Sequence, residues 1–421
     1  MEAVDVLIIG AGPAGSTAAL MLARGGMDVL LVDRHAFPRP KVCGDALASD
    51  AIEVLKEIGL YSAVEKAGYS VSRCRVFAPN GDSMSLKGEF IMIRRILFDD
   101  ILCRAAVDAG ARTMWNLSFE SCSLNDARYT AQFRDKKKRK HSVSARYIIL
   151  ATGANPLPLK ELALLQRFEP SAIAARRYVT TAKGPAQEPI FSYEDFLLPG
   201  YGWIFPVEKG IYNVGCCLFP EAARQGITLH DLYHRFITNS PIAKELLSNP
   251  QEQTPLRGAP LRAGFSGSLP GRDSMLVVGE ALGLTYPGTG EGIGKSMKSG
   301  QLAAKAILEG HNTNNEVQPI ELYCRFLEEI RDQYKPYNIG QKWMKHPSVV
   351  NLIVERANKS ETVKKLLEGI ITEEVQPTTV LSMRGLAKMI FGLTQINKLK
   401  VNLEDKLAQK GLGGLKEIAR K

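Results

Sequence analysis

The chain has 421 residues, 45% hydrophobic and 23% charged, the make-up of an ordinary folded globular protein with room for one large or two interleaved domains. It holds no run of about 18 apolar residues, which excludes a membrane-spanning helix as a reading, and its seven cysteines show no metal-ligand spacing. The net charge of +10 would suit a nucleic acid or an anionic membrane surface, but the densest basic run, Arg134 to Lys140, lacks interleaved aromatics and reads as a solvated hairpin turn; nucleic-acid binding is thereby excluded as the primary role.

In chain order, Val4 to Gly10 is an apolar run followed by a glycine turn and a patterned helix, with no small-residue cleavage site. It reads as a buried parallel strand rather than a signal peptide. An odd cysteine count without a secretory signal then predicts reduced thiols and a cytoplasmic location. Ser16 to Arg24 is an Ala/Leu-rich helix ended by Gly25-Gly26, and Met27 to Val32 is the next strand. Helices follow from Asp50 to Gly59 and from Arg95 to Gly110, and residues 112–150 read as a meander leading into Tyr147-Ile-Ile-Leu-Ala-Thr-Gly153. From about Ala172 to Leu269 the pattern has period 2, with a helical interlude near Leu229–Leu247. Met275 to Gly279 returns to a buried strand, glycines follow, and a helix is predicted from about Gly292 to Leu308. Beyond Glu316 the chain reads as helices to its end, without a repeat or a flexible linker.

Three stretches carry chemistry. Gly10-Ala-Gly12-Pro13-Ala14-Gly15 follows a strand and opens a helix, and Asp33 ends the next strand. The first glycine makes the tight turn, the second lets a pyrophosphate approach the backbone, and the third lets helix and strand pack closely. The phosphates then sit at the positive helix end and Asp33 can accept from a ribose, with Arg34 beside it. The second stretch is Gly279-Glu280 followed by Gly288-Thr-Gly290-Glu-Gly292-Ile293, where amides at the start of a helix could stabilise negative charge. The third is Tyr201-Gly-Trp203-Ile-Phe205-Pro206. On a strand its three aromatics share one face, as a wall for a greasy substrate or as plain sheet core.

Together these motifs resemble the para-hydroxybenzoate hydroxylase superfamily of FAD-dependent oxidoreductases. The resemblance covers most of residues 4–310. It implies FAD as cofactor, with Glu280 at the ribityl chain, Gly290, Gly292 and Ile293 at the pyrimidine edge of the ring, and Arg95 of Arg95-Ile-Leu-Phe-Asp99 near the cofactor. Two departures stand out: the family's Gly-Asp is Gly279-Glu280, and the middle motif of the aromatic hydroxylases is reduced to Leu150-Ala-Thr-Gly153, without its aspartate. Within the superfamily the chain is similar to the geranylgeranyl reductase family. Arg39-Pro-Lys41-Val-Cys43-Gly44 matches its K-x-C-G loop, and Tyr201 to Pro206 its Y-x-W-x-F-P signature, although Leu198 stands where a proline is usual and Asp45 where a glycine is common.

The fold class implied is α/β: a Rossmann-type FAD-binding domain of the glutathione-reductase-2-like kind, with an inserted β-rich substrate domain and a helical C-terminal region. The expected division is 1–70, 95–171 and 270–315 for the FAD domain, 71–94 and 172–269 for the substrate domain, and 316–421 for the helical region. The function expected is a reductase saturating carbon–carbon double bonds of an isoprenoid-type substrate, with electrons from NADPH or a ferredoxin-like donor. In it Cys43 or a water protonates the carbon opposite hydride delivery, a thiol being mostly protonated at neutral pH. A small buried residue is the plain alternative for Cys43, and a solvated loop the plain alternative for Lys41 and Asp45. Rival functions are a flavin monooxygenase or halogenase on the same scaffold, and a flavin-binding protein without turnover. His230 and His234 read as a surface helix pair rather than a metal site, and Cys216-Cys217 as buried strand rather than a redox pair. The amphipathic Thr379 to Leu399 either packs on the body or lies peripherally on a membrane.

Overall fold

The computed structural model describes residues 2–377 and Thr379, apart from 182–187, 209, 248–249, 253 and 313–316. The stretch Thr379 to Leu399 therefore lies, but for its first residue, outside the described residues.

Two sheets organise the chain. In the first, strands run in the order Gly271–Arg272, Met275–Val277, Lys140–Leu150, Glu2–Ile9, Val29–Asp33 and Arg112–Trp115. All neighbours but the first two are parallel. Val6 faces Val29 on one side and Tyr147 on the other, and Val6 to Ile9 are buried throughout. A continuous apolar run is what a parallel strand covered on both faces requires. The helix Pro13–Arg24 starts with proline at its first position, where the missing N–H costs nothing, and packs against helices Arg95–Asp108 and Ile293–Asn312. The last of these approaches closely through small residues: a Cβ on Gly300 would lie 2.3 Å from the Ala14 carbonyl.

Residues 112–150 are only partly the expected meander. Leu117–Asn125, Arg128–Asp135 and Lys140–Leu150 do run antiparallel, with the basic run at the turn. Arg112–Trp115, however, joins the parallel edge beside Val29–Asp33, because its half-buried Thr113 to Trp115 extend the first sheet.

The second sheet is ordered Gln251–Glu252, Ala172–Thr180, Ile211–Leu218, Gly202–Glu208, Ile190–Ser192, Tyr69–Phe77, Ser83–Met92 and Ala46–Leu47, with Arg257–Leu261 also on Ala172–Thr180. It is antiparallel except where Ile190–Ser192 meets Tyr69–Phe77. Adjacent Cys216 and Cys217 point to opposite faces, into two separate apolar clusters, so they form no pair. Helix Pro319–Trp343 docks on the first sheet, its Tyr323 and Tyr334 hydroxyls donating to the Val277 and Leu284 carbonyls at 2.8 and 2.9 Å. Helices Pro347–Lys359 and Glu361–Ile371 pack on the outer strands of the second sheet. No helix among the described residues is long and apolar enough to cross a membrane.

Candidate functional site

The C-terminal ends of four parallel strands, Glu2–Ile9, Val29–Asp33, Lys140–Leu150 and Met275–Val277, open onto one cavity of about 1410 Å³ that continues to the second sheet. That position is where open α/β sheets bind ligands. Its volume exceeds the ~300–1,000 Å³ of a typical small-molecule pocket, leaving room for a dinucleotide and a substrate together.

The glycine loop forms the cavity's first end, and its glycines divide their work. Gly10 adopts φ +108, and a Cβ there would lie 2.2 Å from the Ala151 carbonyl oxygen. A Cβ on Gly15 would sit 1.9 Å from the Gly10 oxygen, so Gly15 serves packing and does not line the cavity. Gly12 differs: its Cβ would meet nothing nearer than Arg39 Nη2 at 3.7 Å, and it faces the open space. A bare backbone facing a void at a helix N-terminus fits a pyrophosphate. The Asp33 carboxylate accepts from the amides of Ala11 and His35, both at 2.9 Å, which locks the loop while its edge still borders the cavity. Pro13, Ala14, Arg34 and Gly153 also line this end.

At the other end of the cofactor stretch, Glu280 borders the cavity and accepts from the Arg262 amide at 3.3 Å. Gly279 does not reach the cavity; its amide donates to Ser299 Oγ at 2.8 Å, and its place against Ala14 and Ser296 makes it a packing residue. Gly290, Gly292 and Ile293 line the cavity where helix Ile293–Asn312 begins. Beside them Glu291 also lines it, its carboxyl pushed up to about 8 by burial and by the charges of Asp50 and Glu373. Lys295 answers those charges, lying 2.6 Å from Glu373 and 3.5 Å from Asp50.

Between the two sheets lies the loop 41–45. Lys41, Cys43 and Gly44 line the cavity, and burial pushes the Cys43 thiol up, against the opposing pull of the Arg95 guanidinium beside it. Arg95 is held by a two-point ion pair to buried Asp99, at 2.6 and 2.8 Å, and Arg39 joins Asp99 at 3.1 Å. Asp45 overturns its solvated-loop reading, because it is fully buried. Its carboxylate accepts from Tyr178 Oη at 2.5 Å and Asn213 Nδ2 at 2.8 Å. Burial raises its carboxyl above the usual range, and those hydrogen bonds and Arg176 oppose the rise.

The aromatic triplet lies where strand alternation places it. Tyr201, Trp203 and Phe205 all face the cavity, and Phe191 and Tyr193 extend the wall, with ring centroids 4.9–6.3 Å apart. Tyr201 Oη donates to the Thr289 carbonyl at 2.5 Å, tying the wall to the glycine-rich segment. Beyond the wall the cavity turns apolar, lined by Val76, Met84, Leu86 and Phe90 from one side and Val350, Ile353, Val354, Leu367, Ile370 and Ile371 from the C-terminal helices. Sequence reasoning missed Phe191, Tyr193, Tyr178 and Asn213, and it read the C-terminal helices and Asp45 without placing them at the cavity or in its polar frame. A single aspartate or asparagine in a strand pattern carries no signal, although Phe191 and Tyr193 do share the i, i+2 spacing of the triplet. His230 and His234 are exposed on helix Leu229–Asn239, and no group of three or more metal-binding side chains exists among the described residues.

Comparison with known proteins places this geometry. Residues 3–174 match the family described as FAD binding domain. The chain is 30% identical over 341 residues to a menaquinone reductase of Mycobacterium tuberculosis, spanning 73% of this chain and 77% of that one. It is 25% identical to digeranylgeranylglycerophospholipid reductase 2 of Methanopyrus kandleri, over 88% of this chain and 91% of that one. It is also 30% identical to conditioned medium factor receptor 1 of Dictyostelium discoideum, over 73% of this chain but only 64% of that protein's length. Among solved structures, a geranylgeranyl bacteriochlorophyll reductase-like protein of Thermoplasma acidophilum superposes with a TM-score of 0.74 at 22% identity, covering 96% of this chain and 99% of that one. A myxobacterial chondrochloren halogenase, FAD-dependent, does so at 0.72 and 22%, covering 91% and 98%. At such identities the superpositions establish the fold.

Proposed function

The chain belongs to the geranylgeranyl reductase family of FAD-dependent oxidoreductases, and on that footing we propose that it saturates carbon–carbon double bonds of an isoprenoid or similarly hydrophobic substrate. One observation carries the reading: the Cys43 thiol and the aromatic wall border the same cavity as the glycine loop, and that cavity continues into an apolar lobe.

The dinucleotide would be held by the loop Gly10–Gly12 with Pro13 and Ala14, by Asp33 and Arg34 at the ribose, by Glu280 at the ribityl chain, and by Gly290, Gly292 and Ile293 at the ring. Bound there, FAD would supply the hydride chemistry at one alkene carbon, with electrons from an external donor, NADPH or a ferredoxin-like protein. The chain's own part is to bury the alkene, exclude water and deliver a proton to the other carbon. Cys43 holds that proton through neutral pH because burial disfavours its thiolate. When the S–H bond breaks, the guanidinium of Arg95 balances the thiolate, and solvent restores the proton after product leaves. Tyr201, Trp203 and Phe205 flatten the chain of the substrate against one wall, and the lobe lined by Leu86, Phe90, Ile353 and Ile370 takes its tail. A basic chain drawing lipid from a surface would bind that surface peripherally, with its +10 charge as the attraction.

The deciding experiment is anaerobic. Dithionite-reduced holoprotein is mixed with a geranylgeranyl lipid, the flavin absorbance is followed, and the product is weighed by mass spectrometry. Return of oxidised flavin together with a gain of two hydrogens per bond supports the reductase. Flavin that stays reduced until oxygen enters, then forms an oxygen adduct, shifts the assignment to a monooxygenase or halogenase.

A further inference from the structure

Asp45 is an unusual residue to find where it is. Its φ of +65 lies in the left-handed region that favours glycine, and its carboxylate is fully buried at the meeting of the two sheets. Both costs are offset by a closed set of hydrogen bonds. Oδ1 accepts from the Arg95 amide at 3.3 Å, and Oδ2 accepts from Tyr178 Oη at 2.5 Å and Asn213 Nδ2 at 2.8 Å. Its carbonyl accepts from the Ile93 amide at 2.9 Å.

Asn213 makes this more than a local arrangement. Its Nδ2 also donates to the Cys43 carbonyl at 2.7 Å, and its Oδ1 accepts from Trp203 Nε1 at 2.9 Å. The amide therefore has one workable orientation, since turning it over would set its oxygen against two acceptors and its donors against the indole N–H. Tyr178 is fixed in its turn by the guanidinium groups of Arg176 and Arg94, 4.2 and 4.7 Å from its ring centre, and Arg176 also reaches the Lys41 carbonyl at 3.3 Å. Loop 41–45, the wall residue Trp203 and the head of the helix that carries Arg95 thus share one hub.

We infer that Asp45, acting through Asn213 and Tyr178, is a positioning residue that fixes the Cys43 thiol and the Trp203 ring relative to each other across the cavity. A carboxylate is suited to this because it accepts from several donors at once, which a glycine at the same backbone angle cannot. The inference rests on the proposal that Cys43 faces substrate, but the orientation of the thiol is readable without turnover.

The test uses FAD-loaded Asp45→Gly, chosen because glycine suits the backbone angle, with Tyr178→Phe as a second variant that deletes one hydroxyl and keeps the ring. N-ethylmaleimide labelling of Cys43, resolved from the other cysteines by peptide mass mapping, should speed up by about tenfold as the loop is released. Alkene reduction should lose about 10- to 100-fold in kcat with little change in KM, since a misplaced donor costs rate rather than binding. Tyr178→Phe should move both readouts in the same direction by less. Unchanged labelling and unchanged kcat in both variants, whatever happens to their melting temperatures, would reduce Asp45 to a folding residue and overturn the inference. If the native protein reduces no alkene while the labelling shift still appears, the positioning stands and the reductase reading is what has failed.

Discussion

The glycine loop offers a paired test in which adding a side chain has opposite consequences three residues apart. At Gly12 the backbone, φ −74 and ψ −173, is open to any residue, and an added Cβ makes only an ordinary 3.7 Å contact with Arg39. Gly12→Val should therefore leave the apoprotein's stability within about 0.5 kcal/mol of the native value. Its methyl groups would instead occupy the space where the pyrophosphate crosses. Losing two charge-assisted hydrogen bonds there, each worth about 1.5–3 kcal/mol, weakens FAD by about 3–6 kcal/mol, or roughly 10²- to 10⁴-fold. Gly15→Ala reverses the pattern. Its Cβ would fall 1.9 Å from the Gly10 oxygen, backbone that cannot give way, so the fold itself should lose at least the ~1–3 kcal/mol of an overpacked core. Fluorescence titration of apoprotein with FAD reads the first effect, and thermal melting of cofactor-free protein reads the second. A Gly12→Val protein that binds FAD normally, or that melts far below native without cofactor, would refute the division of roles.

Four further outcomes follow from the same site. Cys43→Ala should retain FAD and lose about 10²- to 10⁴-fold in alkene reduction, measured in single turnover. In the native protein the acid is active below its pKa and spent above it. With burial raising that pKa, the rate should hold through neutral pH and fall only in alkali. Glu291, pushed up to about 8, binds its proton more tightly folded than unfolded, so its contribution to stability is full below about 4.5 and is lost as pH rises through 8. Glu291→Gln should flatten the decline of melting temperature across that window; an unchanged slope would mean Lys295 already neutralises the cluster. Ile353→Trp, at a buried position facing the apolar lobe, should leave FAD content intact while raising KM for long-chain substrates far more than for short ones. Equal effects on both lengths would place the tail elsewhere.

What could be read from the sequence was what local chemistry determines. The glycine loop announces itself because three packing and approach constraints fall within six consecutive residues. The parallel strands do so because burial on both faces demands an uninterrupted apolar run, as in Val6 to Ile9. The wall of Tyr201, Trp203 and Phe205 was legible from alternation alone, though alternation could not say which face met a cavity. The misreading of Arg112–Trp115 has the opposite cause: a four-residue edge strand has too little pattern to declare its partner, and pairing with Val29–Asp33 decided it.

The hub around Asp45 lay beyond sequence reading for a reason that bears on how this fold diverges. Asp45 and Asn213 are 168 positions apart and Asp45 and Tyr178 are 133 apart, so no window of sequence contains the hydrogen bonds that make a buried carboxylate tolerable. Seen locally, an aspartate beside lysine and cysteine looks like solvated loop. The two halves of the cavity follow different logics. The first sheet's half is specified by glycines, whose roles are steric and local, and such a half can be shared with a halogenase of the same architecture. The second sheet's half is tied by long-range polar contacts that reach the Cys43 backbone and the Trp203 ring, and on our inference they set where the thiol points. If the choice between reduction and oxygenation is made anywhere in this protein, it is made there: on the proposed reading the Cys43 thiol, which borders the same cavity as the aromatic wall, serves an alkene that must gain a proton, and adds nothing to the capture of oxygen.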